Sequence, residues 1–127
     1  TALIRQTKDA MRKNNDSLMW KVAGDLKNVD GKLPFFCAKQ GDKTALKVIE
    51  NYVKYFSEGL MGLLNVFRPE IVVLGGGVSA AGDYLLDKIK IYCQQFDYGF
   101  KNSPIPKLCI ATLGNDAGIL GASCLLK

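Results

Sequence analysis

Three consecutive glycines, Gly75-Gly76-Gly77, are the residues of this sequence with the clearest capacity for chemistry. They follow residues 70–74, an apolar run with the β-branched composition of a strand, and a helical pattern begins soon after them. Glycines in that place let backbone N–H groups and a helix dipole approach a phosphate or nucleoside closely. A tight turn needing positive φ is the alternative, but three glycines exceed what one turn requires. We therefore expect a nucleotide contact at this loop.

A Walker A motif fits the loop only in part. Gly77 and Gly82 have its GxxxxG spacing. However, Asp83-Tyr84 stands where the motif needs Lys and Ser or Thr to hold phosphate and Mg²⁺. The Walker A interpretation therefore fails.

A Rossmann fingerprint also fits in part. Gly75, Gly77 and Ala80 match its GxGxxA form. The acidic residue that binds ribose should end a second strand about 20 residues further on. Asp97 has that spacing but follows a predicted helix, so the Rossmann signal is weak.

The residues needed for nucleophilic catalysis with a histidine base, or for a zinc site, are either absent or far apart in the sequence. The chain has no histidine, which excludes Ser-His and Cys-His catalysis. Its cysteines, Cys37, Cys93, Cys109 and Cys124, form no CxxC pair, so a complete zinc site is not expected. Each lies in an apolar pattern, which predicts buried, reduced thiols in a cytoplasmic protein.

Composition indicates one globular domain. The chain has 127 residues, of which 48% are hydrophobic, enough for a modest core. Its formal net charge of +5 comes from lysines and arginines spread along predicted helix faces. That distribution predicts a solvated surface and no nucleic-acid partner, while a small polyanion such as a nucleotide is compatible. No apolar run is long enough for a membrane helix, so no membrane partner is expected.

The elements before the loop are predicted to be helical. One helix covers residues 2–13, and a second, short one begins near Leu18 and is broken by Gly24. A third covers residues 31–40, with Asp30 as its cap.

A long helix follows, from Asp42 or Thr44 to about Phe67. Gly59 and Gly62 inside it predict close contact with another backbone, because glycine otherwise weakens a helix. Apolar residues that should face the core recur at three- and four-residue steps: Leu46, Ile49, Val53, Phe56, Leu60, Leu63, Leu64 and Phe67. Tyr52, Met61 and Val66 widen this stripe, which predicts burial on more than one side.

The second half reads as strand, glycine loop, helix, strand and helix. The strand at residues 70–74 lacks alternation, which is typical of a strand covered on both faces. Residues 83–96 are amphipathic, residues 108–112 form a second apolar strand, and residues 117–126 form the last helix. Two strands make no independent sheet, so we expect further strands from outside this chain.

Three segments together resemble sugar kinases of the ROK family, in the actin, Hsp70 and hexokinase superfamily. Residues 68–79, RPEIVVLGGGVS, resemble the turn that contacts adenosine, and Gln40-Gly41-Asp42 opens the long helix as in that family. Residues 113–122, LGNDAGILGA, resemble the family's C-terminal signature. The resemblance implies an α/β fold: part of a ribonuclease-H-like, actin-like ATPase domain, helix-rich, with a βαβ unit and parallel strands.

The resemblance also implies ATP-dependent phosphorylation of a hexose by a glucokinase-like parent, with ATP and Mg²⁺ as cofactors. Gly75, Gly76, Gly77 and Val78 would contact the nucleotide. The chain would be a C-terminal fragment, with a helical part at residues 1–67 and a nucleotide-side unit at residues 68–127. The parent is expected to be cytoplasmic and homo-oligomeric.

The remaining functional parts of this family lie upstream of the segment that the chain resembles. They are the phosphate loop, the catalytic Asp, the zinc-binding segment and the glutamate that contacts the sugar. No residue here is therefore assigned a catalytic, sugar-binding or metal-binding role, and the chain alone is expected to be inactive.

Two other functions stay open. The family includes sugar-responsive transcriptional repressors, of which this chain would be part of the effector-binding domain. A free-standing interaction module is a weaker alternative. The intact triple glycine favours a kinase, because a repressor has less need of a nucleotide contact.

Other polar and aromatic side chains receive structural interpretations. Asn115 or Asp116 is expected to cap the last helix rather than bind a ligand. Core packing is expected for the aromatic residues Trp20, Tyr52 and Tyr55. Solvated helix faces are expected for the acidic residues Glu50, Glu58 and Asp87.

Overall fold

A computed structural model describes residues 2–76, 82–95, 106–112 and 116–124. The chain forms two compact units, residues 1–59 and residues 60–127, and the boundary falls within the longest helix. The functional division into residues 1–67 and 68–127 stays a prediction.

The first unit is helical, as the sequence predicts. Its elements are α1 (Ala2–Lys13), α2 (Leu18–Ala23), a 3₁₀ turn (Leu26–Asn28), α3 (Leu33–Lys39) and the start of α4 (Lys43–Phe67). Ser17 caps α2 by accepting a hydrogen bond from the Met19 amide, and Gly24, at φ 68°, ends it. Asp30 Oδ1 accepts from the Leu33 amide at 2.8 Å at the start of α3.

Apolar faces of these helices form the core of the first unit. Leu3 and Met11 of α1 are buried, as are Ile49 and Val53 of α4, which the apolar spacing places toward the core. Trp20 anchors α2 to α1, because its Nε1 donates to the Met11 carbonyl at 2.8 Å. The half-buried Trp20 is thus a structural residue, as expected.

The second unit contains the predicted βαβ arrangement. Its elements after α4 are β1 (Ile71–Leu74), α5 (Gly82–Gln95), β2 (Lys107–Ile110) and α6 (Asp116–Cys124). The two strands are parallel, with Ile71 opposite Lys107 and Leu74 opposite Ile110. The helix α5 packs against β2 and buries Leu85, Leu86 and Ile89.

The prediction that β1 is covered on both faces is wrong for this chain. Ile71 is 55% exposed and Val73 is 60% exposed, whereas Leu74 is buried. Ile71 and Val73 share one face of the strand because side chains alternate. No described element covers that face.

The C-terminal end of α4 also departs from the prediction. Leu63, Val66 and Phe67 are exposed, although the periodic pattern places them toward a core. A Cβ added at Gly59 or Gly62 would meet nothing within 4 Å, so the predicted close backbone contact is absent from the described part. An apolar period identifies a face but not the segment that covers it.

The four cysteines are free, but their burial differs from the prediction. Cys37 is buried, Cys93 and Cys109 are partly buried, and Cys124 is exposed. Burial, followed by the negative charge of Asp42, raises the pKa of the Cys37 thiol. That thiol is therefore protonated and unreactive at neutral pH.

No helix in the described part of the chain is both long and apolar enough to cross a membrane.

Candidate functional site

The candidate site lies where β1 ends. The Leu74 carbonyl accepts a hydrogen bond from the Ala111 amide at 2.8 Å, which holds the strand end against β2. Gly75 and Gly76 follow, and both are exposed. The carboxyl ends of parallel strands are where open α/β sheets bind ligands. Two of the four predicted nucleotide-binding residues therefore lie at a suitable edge, while Gly77 and Val78 lie outside the described residues.

The two described glycines differ in what surrounds them. A Cβ at Gly75 would lie 3.6 Å from Ala111 Cβ, which is ordinary van der Waals contact. Gly76 has a φ of 76°, a conformation that favours glycine, and a Cβ there would meet nothing within 4 Å. The space beside the Gly76 backbone is thus open. Such an opening suits the close approach of a nucleoside or phosphate to main-chain atoms.

The residues after the loop fit a helix start and not a Walker A motif. The helix α5 begins at Gly82, which has a φ of 59°. Asp83 lies in the first turn of α5, where a Walker motif would present its lysine. The Asp97 of the Rossmann interpretation lies outside the described residues.

Metal ligands are not assembled in the described residues, where no group of three or more Cys, Asp or Glu side chains is positioned to hold an ion.

The aromatic and acidic side chains considered in the sequence lie mostly where they were expected. Tyr52 is half-buried beside Phe56, with ring centroids 6.1 Å apart, in agreement with core packing. Tyr55 is 64% exposed, so the core assignment is wrong for that residue. Asp116 is the first residue of α6, and Asn115 lies outside the described residues. The acidic residues predicted to be solvated are exposed: Glu50, Glu58 and Asp87.

Asp42 has a role that the sequence suggests only partly. Its Oδ1 accepts from the amides of Thr44 and Ala45, at 2.7 and 2.9 Å, and so caps α4. Its Oδ2 accepts from the Ser17 hydroxyl at 2.7 Å and from the Leu18 amide, at the start of α2. One carboxylate thus caps two helices that lie far apart in sequence. The Gln40-Gly41-Asp42 motif signals the first cap but not the second.

Burial and hydrogen bonding act in opposite directions on the pKa of this carboxylate. Partial burial is the largest single influence and raises the pKa of Asp42. The hydrogen bonds from Ser17 and from the amides of Ala45, Leu18 and Thr44 together outweigh burial, and the pKa is lowered from its ordinary value. Because the folded pKa lies below the unfolded one, the ionised carboxylate stabilises the fold above the unfolded pKa. That stabilisation is lost as the pH falls through the folded pKa.

We predict that Asp42→Ala lowers the free energy of unfolding by about 3 kcal/mol at pH 7, since two helix caps are removed and their donors are left unpaired. Urea unfolding at pH 7 and at pH 3 measures the effect. The difference from wild type should shrink at the lower pH.

Asp16→Ala is the matched control, because Asp16 is an exposed carboxylate close to the same cap. It should change stability by less than about 0.5 kcal/mol. Equal losses for the two variants, or a difference independent of pH, would contradict the double-cap role.

Comparisons with known proteins identify the family of the chain. Residues 5–127 match the ROK family. Glucokinase of Thermotoga maritima is 34% identical over 131 aligned positions, which cover 100% of this chain and 40% of that protein. Glucokinase of Halalkalibacterium halodurans is 38% identical over 99 positions, covering 73% of this chain and 28% of that protein. The chain thus spans about 40% or less of the curated relatives that it matches.

A solved structure extends the likeness to three dimensions. The crystal structure of a ROK family glucokinase from Streptomyces griseus, in complex with glucose and AMPPNP, matches 98% of this chain with a TM-score of 0.85. The two sequences are 28% identical, and the match covers 41% of that protein. The predicted fold class, part of an actin-like ATPase domain, is therefore confirmed. From its sequence and its fold together, the chain belongs to the ROK family.

Proposed function

We propose that this chain provides the nucleotide-side part of an ATP-dependent hexose kinase that phosphorylates a hydroxyl of glucose. The observation that carries the proposal is the open glycine turn at the carboxyl end of β1, where Gly76 has a positive φ and unoccupied space beside it. The likeness to glucokinases supports the substrate, because the Streptomyces griseus protein was crystallised with glucose and AMPPNP.

In this proposal the turn binds and orients the adenosine end of ATP. The backbone of Gly75 and Gly76 lets the nucleoside approach the strand end without a side chain between them. Gly77 and Val78, which lie outside the described residues, are proposed to complete the contact. Positioning of this kind is a large part of phosphoryl-transfer catalysis.

The acceptor side of the reaction is not assigned to this chain. The sequence has no histidine to act as a base. Mg²⁺ bound with ATP would neutralise charge on the transferred phosphoryl group. We also propose that the parent protein is cytoplasmic and homo-oligomeric.

The test is a coupled ADP-release assay on the intact gene product, with Mg-ATP and either glucose or N-acetylglucosamine. The second sugar is included because N-acetyl-D-glucosamine kinase of Pasteurella multocida is 29% identical over 67% of this chain. We expect turnover with glucose to exceed turnover with N-acetylglucosamine. Absence of hexose-dependent ADP release from a folded protein would refute the kinase assignment, and sugar-dependent DNA binding would instead favour a repressor.

A further inference from the structure

A cavity lies in the first unit, lined by residues at α1 and in the N-terminal half of α4. We call it the α1–α4 groove. Its volume is about 570 Å³, within the range of about 300–1,000 Å³ that small-molecule sites occupy. Most of its lining residues are polar or charged, although their carbon atoms also give it apolar surface: Gln6, Asp9, Ala10, Lys13, Asn14, Lys43, Thr44, Lys47, Val48, Asn51 and Tyr55.

The groove carries uncompensated positive charge. Three lysines line it, Lys13, Lys43 and Lys47, and none forms an ion pair within the described part of the chain. Its one carboxylate, Asp9, is already paired with Arg12 at 2.8 Å. Lys43 and Lys47 are also four residues apart on one helix, a spacing at which like charges repel. An anion between the lysines would relieve that repulsion.

The groove also contains an acceptor without a donor. Gln6 Oε1 is buried and has no hydrogen-bond partner in the structure. Buried polar atoms are nearly always paired, and an unpaired one needs an explanation. A phosphate alone cannot supply one, because phosphate oxygens are mainly acceptors. A ligand hydroxyl would donate the missing hydrogen bond once the Gln6 side chain, which lines the groove, rotates to bring its buried oxygen to the groove surface.

Further polar groups line the same cavity. Asn14 Nδ2 donates to Thr44 Oγ1 at 2.6 Å, which leaves the Thr44 hydroxyl hydrogen to point elsewhere. Asn51 and the exposed ring of Tyr55 continue along α4 at four-residue spacing from Lys43 and Lys47. The ring offers a flat surface against which a sugar or a base can pack.

We propose that the α1–α4 groove binds a phosphate monoester of a polyhydroxylated compound. The ester carries a charge of about −1.5 to −2 at neutral pH, which suits the lysines. Its hydroxyl groups satisfy Gln6, and its carbon skeleton occupies the remaining volume. A hexose phosphate and a nucleoside monophosphate share this chemistry. The site is argued from the groove alone and does not depend on the proposed kinase activity.

The experiment uses titration calorimetry on the intact gene product with four probes: glucose 6-phosphate, AMP, inorganic phosphate and glucose. Hydrogen exchange with each ester locates the contact, which should protect residues 6–14 and 43–55. At residues 6–14 and 43–55, we expect at least one ester to give protection at a lower concentration than either inorganic phosphate or glucose. The tighter of the two esters identifies the source of the phosphate.

Substitutions of the lysines test whether their charges contribute to ester binding. The double variant Lys43→Gln/Lys47→Gln should weaken ester binding by about tenfold or more, since two charged contacts are lost. Lys54→Gln removes the same charge from an exposed position on α4 that does not line the groove, and it should bind the ester like wild type. Equal affinity in wild type and the double variant, or ester protection confined to other residues, would overturn the proposal.

Gln6→Met tests the acceptor separately. It should weaken ester binding while leaving the affinity for inorganic phosphate unchanged, without lowering the midpoint of thermal unfolding. Equal loss for both probes would show that Gln6 makes no contact of its own with a ligand hydroxyl. Failure of both esters to bind would refute the site whatever the outcome of the kinase assay.

Discussion

Gly76→Val in the intact gene product is expected to abolish adenine-nucleotide binding. The branched side chain would occupy the open space beside the backbone, where the proposed nucleoside approaches. We expect the affinity for AMPPNP, measured by calorimetry, to fall at least about a hundredfold, equivalent to a loss of about 3 kcal/mol. Unchanged affinity in a folded variant would remove the glycine turn from the site.

Backbone strain must be separated from obstruction of the site, because φ is 76° at Gly76 and valine is disfavoured there. Gly24→Val is the matched control: its φ is 68°, and a Cβ there also meets nothing within 4 Å. We expect it to lower stability by a similar amount and to bind AMPPNP normally. If Gly24→Val weakens nucleotide binding as much as Gly76→Val, strain rather than obstruction is the cause.

Residues 1–127 expressed alone are expected not to phosphorylate glucose. Phosphoryl transfer needs an orienting carboxylate or base at the acceptor hydroxyl, a phosphate-cradling loop and a cleft that closes over both substrates. The chain has no histidine, and no strand in its described part is followed by a carboxylate in the setting of the family's catalytic Asp.

The measurement is ADP release with glucose and Mg-ATP, from residues 1–127 and from the intact gene product. We expect a rate at least about a thousandfold lower for the chain alone, because positioning and base catalysis are both lost. Far-ultraviolet circular dichroism should first establish that the chain is helical. Comparable turnover from the two proteins would mean that the active site has been misplaced.

Local sequence signals predicted most of the secondary structure. The first helix has the predicted bounds, and glycines at positions 24 and 41 mark helix ends because their φ angles are positive. The parallel strands on either side of α5 were predictable from uninterrupted apolar runs separated by a helical period. These signals depend on residues a few positions apart, so they can be read without knowledge of tertiary contacts.

Exposure was harder to predict. The pattern at Leu63, Val66 and Phe67 is that of a buried helix face, and residues 70–74 read as a strand covered on both sides. Both segments leave apolar side chains exposed in this chain. The spacing of apolar residues shows which face of a helix or strand favours burial. Whether that face is buried depends on a second segment that covers it, and none of the described segments covers these two faces.

The candidate sites were predictable to different degrees. The glycine turn is a contiguous motif, so the sequence alone identified it. The α1–α4 groove brings together residues from two separate helices, and no contiguous motif in the sequence marks it. The second cap made by Asp42 has no local signal, because its partners Ser17 and Leu18 lie 25 and 24 residues away.

That distant cap has a consequence for chain entropy. The hydrogen bond from Ser17 to Asp42 closes a loop across 25 residues, and the loop contains α2, the 3₁₀ turn and α3. These helices have 6 and 7 residues, shorter than an isolated helix needs to persist in water. Closing the ends of such a segment lowers the number of conformations open to everything inside it. Asp42 therefore acts as a non-covalent cross-link, which together with core packing favours the short helices inside the loop.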